Sequence, residues 1–151
     1  MDIRHGTIRD IDLWMRLVDK VKDIFPGLET KKAMDEHRNA VLEFIGREEA
    51  LCAEVDGKIV GVLLFSKEWN KLCFLAVDSK YRRQHIAFKL VNNMYSYLNS
   101  AKDIGLETHV EGVPEGVAAR CFYKKLGFIE SEIKEEFGSL VQEFVLPKRE
   151  I

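Results

Sequence analysis

Asp56-Gly57 stands between two strand-like runs, Leu51 to Val55 and Lys58 to Phe65. A two-residue Asp-Gly connection needs positive φ at both positions and suits only a tight antiparallel turn, so the chain is committed to a β-hairpin here. The second run, Ile59 to Phe65, is almost continuously apolar, as in a strand covered on both faces, and Leu72 to Val77 repeats the pattern after a polar tip at Trp69-Asn70. A sheet with helices on both sides is therefore expected around this hairpin.

The flanking segments supply those helices. Behind Thr7-x-x-Asp10, which has the form of a capping box, Trp14, Leu17, Val18, Val21 and Phe25 recur at the spacing of one helical face, and Pro26-Gly27 ends the run. A second helix is predicted from Thr30 to Ile45, so that two helices precede the sheet. From Ile86 onward Ala87, Leu90, Val91, Met94 and Leu98 mark a third helix. Thr108 to Val113 reads as a short strand, Val117 to Leu126 as a helix closed by Gly127, and Phe128 to Ile133 and Val141 to Leu146 as two final strands. The fold class this predicts is α/β (α+β): a mixed, largely antiparallel sheet of six or seven strands with helices on both faces.

Composition closes off several functions. A chain of 151 residues with 46% hydrophobic and 32% charged residues is expected to form one domain with a packed core. A net charge of -2 offers no field to hold a polyanion, so nucleic acid is not an expected partner. Cys52, Cys73 and Cys121 form no C-x-x-C pair, which predicts neither a disulfide framework nor a metal site and suits the reducing cytoplasm. No apolar run is long enough to span a membrane.

The segment from Val77 to Ala87 leaves an apolar strand, crosses a polar turn and enters a helix. Free amides and partial positive charge gather at a helix N-terminus, and Arg82 and Arg83 add charge, so a phosphate could be held there. A plain strand-to-helix connection with two solvated arginines fits these local features equally well.

Leu75-Ala-Val77-x-x-x-x-Arg82 followed by Ile86-Ala87 resembles the acetyl-CoA motif of the GCN5-related N-acetyltransferases (GNAT), in which Arg or Gln opens an R/Q-x-x-G-x-G/A signature. Ala118-Ala-Arg-Cys-Phe-Tyr123-Lys-Lys-Leu-Gly127-Phe128 is similar to the family's second signature, A-x-x-x-Y-x-x-x-G-F, and the order of elements matches along essentially the whole chain. The resemblance implies transfer of an acetyl group from acetyl-CoA, without a metal, to a primary amine on a small molecule or peptide. It implies that the backbone of Arg83, Gln84, His85, Ile86, Ala87 and Phe88 holds the pyrophosphate beside Arg82. The strand edge at Leu75, Ala76 and Val77 would bind pantetheine and thioester, with Ala119 and Phe122 lining the cofactor and Tyr123 near its sulfur as general acid. On spacing alone, Tyr123 shares an inward stripe with Ala119, Phe122 and Leu126, where a core aromatic is also expected.

Two positions depart from the pattern: His85 replaces the central glycine, and Gly116 stands where the family often has asparagine. They motivate an alternative, a non-catalytic acyl-CoA sensor or regulatory module of the same fold; Tyr123 favours the enzyme. Candidates for the general base are His109 and Glu111, expected on one face of their strand, and Glu68 at the tip, although a solvated or hairpin-supporting role is open to each. The glutamates at 130, 132, 135 and 136 could attract a cationic acceptor or merely solvate a strand end. The acceptor, the acyl chain preference and the choice between monomer and homodimer are not written in the sequence.

Overall fold

The computed structural model describes residues 1–82, 84–136 and 138–149. Its strands are β1 (Asp2–His5), β2 (Ala50–Val55), β3 (Lys58–Ser66), β4 (Lys71–Val77), β5 (Ile104–His109), β6 (Ile129–Glu136) and β7 (Ser139–Leu146), and its α-helices are α1 (Ile11–Val21), α2 (Lys31–Gly46), α3 (Ile86–Tyr95) and α4 (Val117–Lys125). The strands join in one sheet in the order β1-β2-β3-β4-β5-β7-β6, antiparallel except between β4 and β5. Asp56 and Gly57 turn the β2–β3 hairpin with φ of 50° and 76°, the left-handed values that the Asp-Gly pair requires.

Strand alternation sorts the core into two layers. On one face Ala50, Cys52, Val62 and Leu64 pack against Trp14, Leu17 and Val18 of α1 and Val41 and Ile45 of α2. On the other face Leu51, Ala53, Leu63 and Phe65 pack against Ile86, Leu90, Val91 and Met94 of α3, with Tyr123 of α4 and Phe144 of β7 continuing the layer. Leu90 is fully buried in that layer, so Leu90→Ala would cost about 2–5 kcal/mol and loosen the α3 contact.

Several boundaries differ from the sequence expectation. β1 precedes both helices; it is a short polar edge strand in which Arg4 forks onto Asp10 (2.8 and 2.9 Å) and reaches Glu54 (2.6 Å), so ion pairs rather than apolar alternation hold it. The first helix stops at Val21 and a 3-10 turn over Lys22–Ile24 follows, leaving Phe25 extended to meet Phe74 of β4 at 4.5 Å between ring centres. β5 lies four residues earlier than expected because Ile104 and Leu106 are its buried residues, and Gly112, at φ 93°, turns the chain beyond its end.

Candidate active site

The site is organised around β4 and β5, the only parallel pairing in the sheet among the described residues. These strands pair at a single position, Lys71 with Gly105, and then part. Continued parallel register, allowing for the extra residue Cys73 in β4, would bring Leu75 opposite Thr108, but no pairing occurs there, so a wedge opens between the C-terminal halves of the two strands. Strand groups along its sides lack the ladder partner that sheets elsewhere provide, which makes the wedge a place for an extended ligand.

The closed end of the wedge is firmly tied. Asn70 is 6% exposed and its side chain donates to the carbonyls of Asn99 (2.9 Å) and Asp103 (3.0 Å) and accepts from the Asn99 amide (2.8 Å), while its own carbonyl accepts from Gly105 (3.3 Å). Beside it the Lys71 ammonium meets both carboxylate oxygens of Glu107, at 2.6 and 2.5 Å. Just above, β4 carries a bulge: Leu72 and Phe74 face consecutive residues of β3, which leaves Cys73 as the extra residue. The bulge resets the alternation so that Leu75 and Val77 join the α3–α4 face whereas Phe74 and Ala76 join the α1–α2 face.

At the open end of the wedge, β4 runs into the turn that leads to α3. Asp78 is buried, accepts from the Lys80 amide at 3.0 Å and meets Lys20 at 3.2 Å; burial alone would raise its pKa, but these donors outweigh it and hold the carboxyl below its ordinary value. A cavity of about 280 Å³ adjoins this turn, lined by Lys20, Val21, Ile24, Asp78, Ser79, Lys80 and Arg82. Arg82, Gln84 and His85 are exposed, and Arg83 lies outside the described residues. His85 occupies the left-handed region, φ 59° and ψ 25°, and its side chain makes no capping bond. Ile86 is buried in the core, so only its backbone is available to a ligand; Phe88 is 49% exposed on the same first turn. The amides of Ile86, Ala87 and Phe88 precede the first intrahelical donor, Lys89, whose N–H reaches the His85 carbonyl at 2.9 Å.

Tyr123 projects from α4 onto the face that carries Leu75 and Val77, with Ala119 and Phe122 half-buried beside it. Its ring is 8% exposed and lies among Phe122, Phe128 and Phe144, with centroids 5.6, 5.9 and 6.3 Å away. Desolvation raises the pKa of the phenol well above its ordinary value, so it holds its proton. Among the described residues the hydroxyl has no hydrogen-bond partner. α4 itself is pinned by Arg120, which sequence reasoning passed over: its buried guanidinium donates to the His109 carbonyl (2.8 Å), Gln142 (2.8 Å) and Glu130 (2.7 Å) and lies over the Phe144 ring. A basic residue on the same inward stripe as Ala119 and Tyr123 was the available signal.

The three candidates for the base fall in different places. His109 ends β5 at the open side of the wedge, and its Nε2 lies 2.7 Å from the Ile24 carbonyl, an acceptor, so Nε2 carries the proton. Gly116 makes this position available. A Cβ there would sit 2.4 Å from the His109 Cβ and 3.1 Å from Cδ2, so an asparagine cannot occupy the position with His109 as placed. With Cδ2 against Gly116, the opposite ring edge carrying Nδ1 faces away from that turn. Glu111 is exposed in the turn beyond β5 rather than on its face, and Glu68 is exposed at the β3–β4 tip, at the opposite end of β4 from Val77. The acidic cluster does not converge on the wedge: Glu130 is taken up by Arg120 and by Lys124 at 2.6 Å.

The sequence model of the acetyltransferase (GNAT) family matches residues 14–128. The chain belongs to the GNAT acetyltransferase family. Among solved structures it resembles an N-acetyltransferase from Staphylococcus aureus Mu50 (18% identity, TM-score 0.74, 96% of this chain and 100% of that one) and a ribosomal-protein-alanine N-acetyltransferase from Brucella melitensis (19%, 0.75, 97% and 99%). It also resembles the PaiA N-acetyltransferase from Thermoplasma acidophilum, determined in complex with coenzyme A (17%, 0.70, 94% and 96%). No curated protein sequence matches this GNAT chain. The seven-stranded, mostly antiparallel sheet with helices on both faces is the fold these structures share. No helix among the described residues is long and apolar enough to cross a membrane, and none of their His, Cys, Asp and Glu side chains gather into a metal-binding group.

Proposed function

We propose that residues 1–151 act as one N-acetyltransferase domain that moves an acetyl group from acetyl-CoA directly to a primary amine. The observation that carries this reading is the wedge between β4 and β5, open toward a cationic turn and a helix N-terminus, with the Tyr123 phenol on the face of Leu75 and Val77. Acetyl-CoA would supply the thioester carbonyl and a thiolate leaving group. The amides at the start of α3, with Arg82, suit the pyrophosphate, and the unpaired edge of β4 at Leu75 to Val77 suits pantetheine and the thioester oxygen. Tyr123, on the face that carries Leu75 and Val77, donates its proton to the departing sulfur.

An incoming ammonium must first lose a proton, and His109 is the best placed of the three candidates to take it. Its Nε2–H is committed to the Ile24 carbonyl, which fixes the tautomer and leaves Nδ1 as the basic nitrogen of a residue at the open side of the wedge. Glu68 and Glu111 have no such placement. A panel of amines, polyamines, aminoglycosides and peptides assayed for amine-dependent release of CoA tests the proposal. Release with at least one amine, slowed on the order of 10²-fold in Tyr123→Phe, is expected; binding of acetyl-CoA without turnover of any amine would favour the sensor reading instead.

A further inference from the structure

The closed end of the wedge carries a feature that the transfer reaction itself does not require. Lys71, which pairs with Gly105 at the last paired position of β4 and β5, reaches Glu107 two residues farther along β5, 2.5 Å away, with side chains 31% and 16% exposed; alternation puts both on the α1–α2 side of the sheet, the side of His109, since Leu72 and Leu106 take the other. On its other side Glu107 stands opposite Glu143 of β7, and Lys134 of β6 lies 3.2 Å from Glu143 and 3.9 Å from Glu107. Two carboxylates directly opposite on neighbouring strands repel, so each glutamate depends on its own lysine. Asn70 ties the same end shut through three side-chain hydrogen bonds, so the strands cannot easily part further there.

We propose that the Lys71–Glu107 ion pair is the stop that restricts this protein to short acyl donors. The inference rests on the reading above in which the cofactor runs from the α3 turn along Val77 to Leu75. A chain in that direction has its acyl group aimed at the closed end, and Lys71 lies only about 10 Å farther along β4, allowing about 3.3 Å per residue and one residue lost to the bulge. There the strands close to their ordinary separation of about 4.8 Å. An acetyl group ends before the pair. A longer alkyl chain must strip water from it or push Lys71 off Glu107, which leaves a partly buried carboxylate without its partner and beside Glu143.

The test is calorimetric binding of CoA, acetyl-CoA and hexanoyl-CoA to the native protein and to Lys71→Met/Glu107→Leu, which replaces both charges with apolar side chains and leaves the Lys134–Glu143 pair in place. The native protein is expected to bind hexanoyl-CoA at least about 10-fold more weakly than acetyl-CoA, and the double variant to bring that ratio to about one or below it. Equal native affinities, or an unchanged ratio in a folded double variant, overturn the inference. If the double variant does not fold, Glu107→Gln serves: it keeps the shape, weakens the hold on Lys71 and is expected to lower the ratio, and no reduction overturns the inference. Failure of CoA itself to bind would bring down the reading of the wedge, and this inference with it. Binding of CoA without chain-length discrimination brings down this inference alone.

Discussion

Replacing His85 by glycine isolates what the family's usual glycine contributes at the mouth of the wedge. His85 holds φ 59° and ψ 25°, where a side chain costs about 1–2 kcal/mol through contact of Cβ with the backbone. Glycine removes that strain but loses about 0.5–1 kcal/mol through the greater freedom of its unfolded chain. The imidazole is exposed and caps nothing, so no native contact is sacrificed. The net expectation is a gain of about 0.5–1 kcal/mol, which in a chain of this size is a rise of about 1–4 °C in Tm. Scanning calorimetry on both proteins reads the shift, and a titration with acetyl-CoA should show affinity kept or improved, since the amides that face a phosphate are unchanged. A fall in Tm would refute the strain argument, and a clear loss of affinity in the folded variant would show that the imidazole itself contacts the ligand.

Tyr123→Phe should leave Tm nearly unchanged, because the hydroxyl has no partner among the described residues, while kcat falls on the order of 10²-fold; lost stability with intact turnover would instead mark a core aromatic. Gly116→Ala forces a Cβ to within 2.4 Å of the His109 Cβ and is expected to cost about 1–3 kcal/mol in chemical denaturation, so an unchanged midpoint would mean that the end of β5 yields freely. Asp10, gripped by Arg4, has its pKa lowered to about 2 from 3.8. Its stabilisation is complete above the unfolded value and disappears as pH falls from about 4 to 2, a loss of about 2 kcal/mol that Asp10→Asn should flatten in a pH series of unfolding curves.

Features set by neighbouring residues were legible in the sequence. The Asp56-Gly57 turn, the buried run of β3 and the apolar stripes of α1 and α3 follow from local geometry and periodicity, and the structure reproduces them. The parting of β4 from β5 was not legible, because it is a pairing that stops after one position, beside the long-range contacts of Asn70 and the Lys71–Glu107 pair. β1 escaped notice because Arg4 and its two acids do the work that apolar alternation does elsewhere. The glutamates of β6 hide a strand that runs to Glu136 only because β7 pairs with it. At His85 the departure from the family pattern was visible, but the strained backbone beneath it was not, since φ depends on how the turn joins β4 to α3.

The central claim, that the wedge and the turn before α3 hold acetyl-CoA, is tested most directly by titrating the protein with acetyl-CoA in a calorimeter. Saturable binding at one site per chain is expected, weakened by high salt because cations at the turn face the phosphates, with a Tm that climbs with ligand concentration. A flat titration against correctly folded protein, with no shift in Tm at millimolar acetyl-CoA, would contradict it.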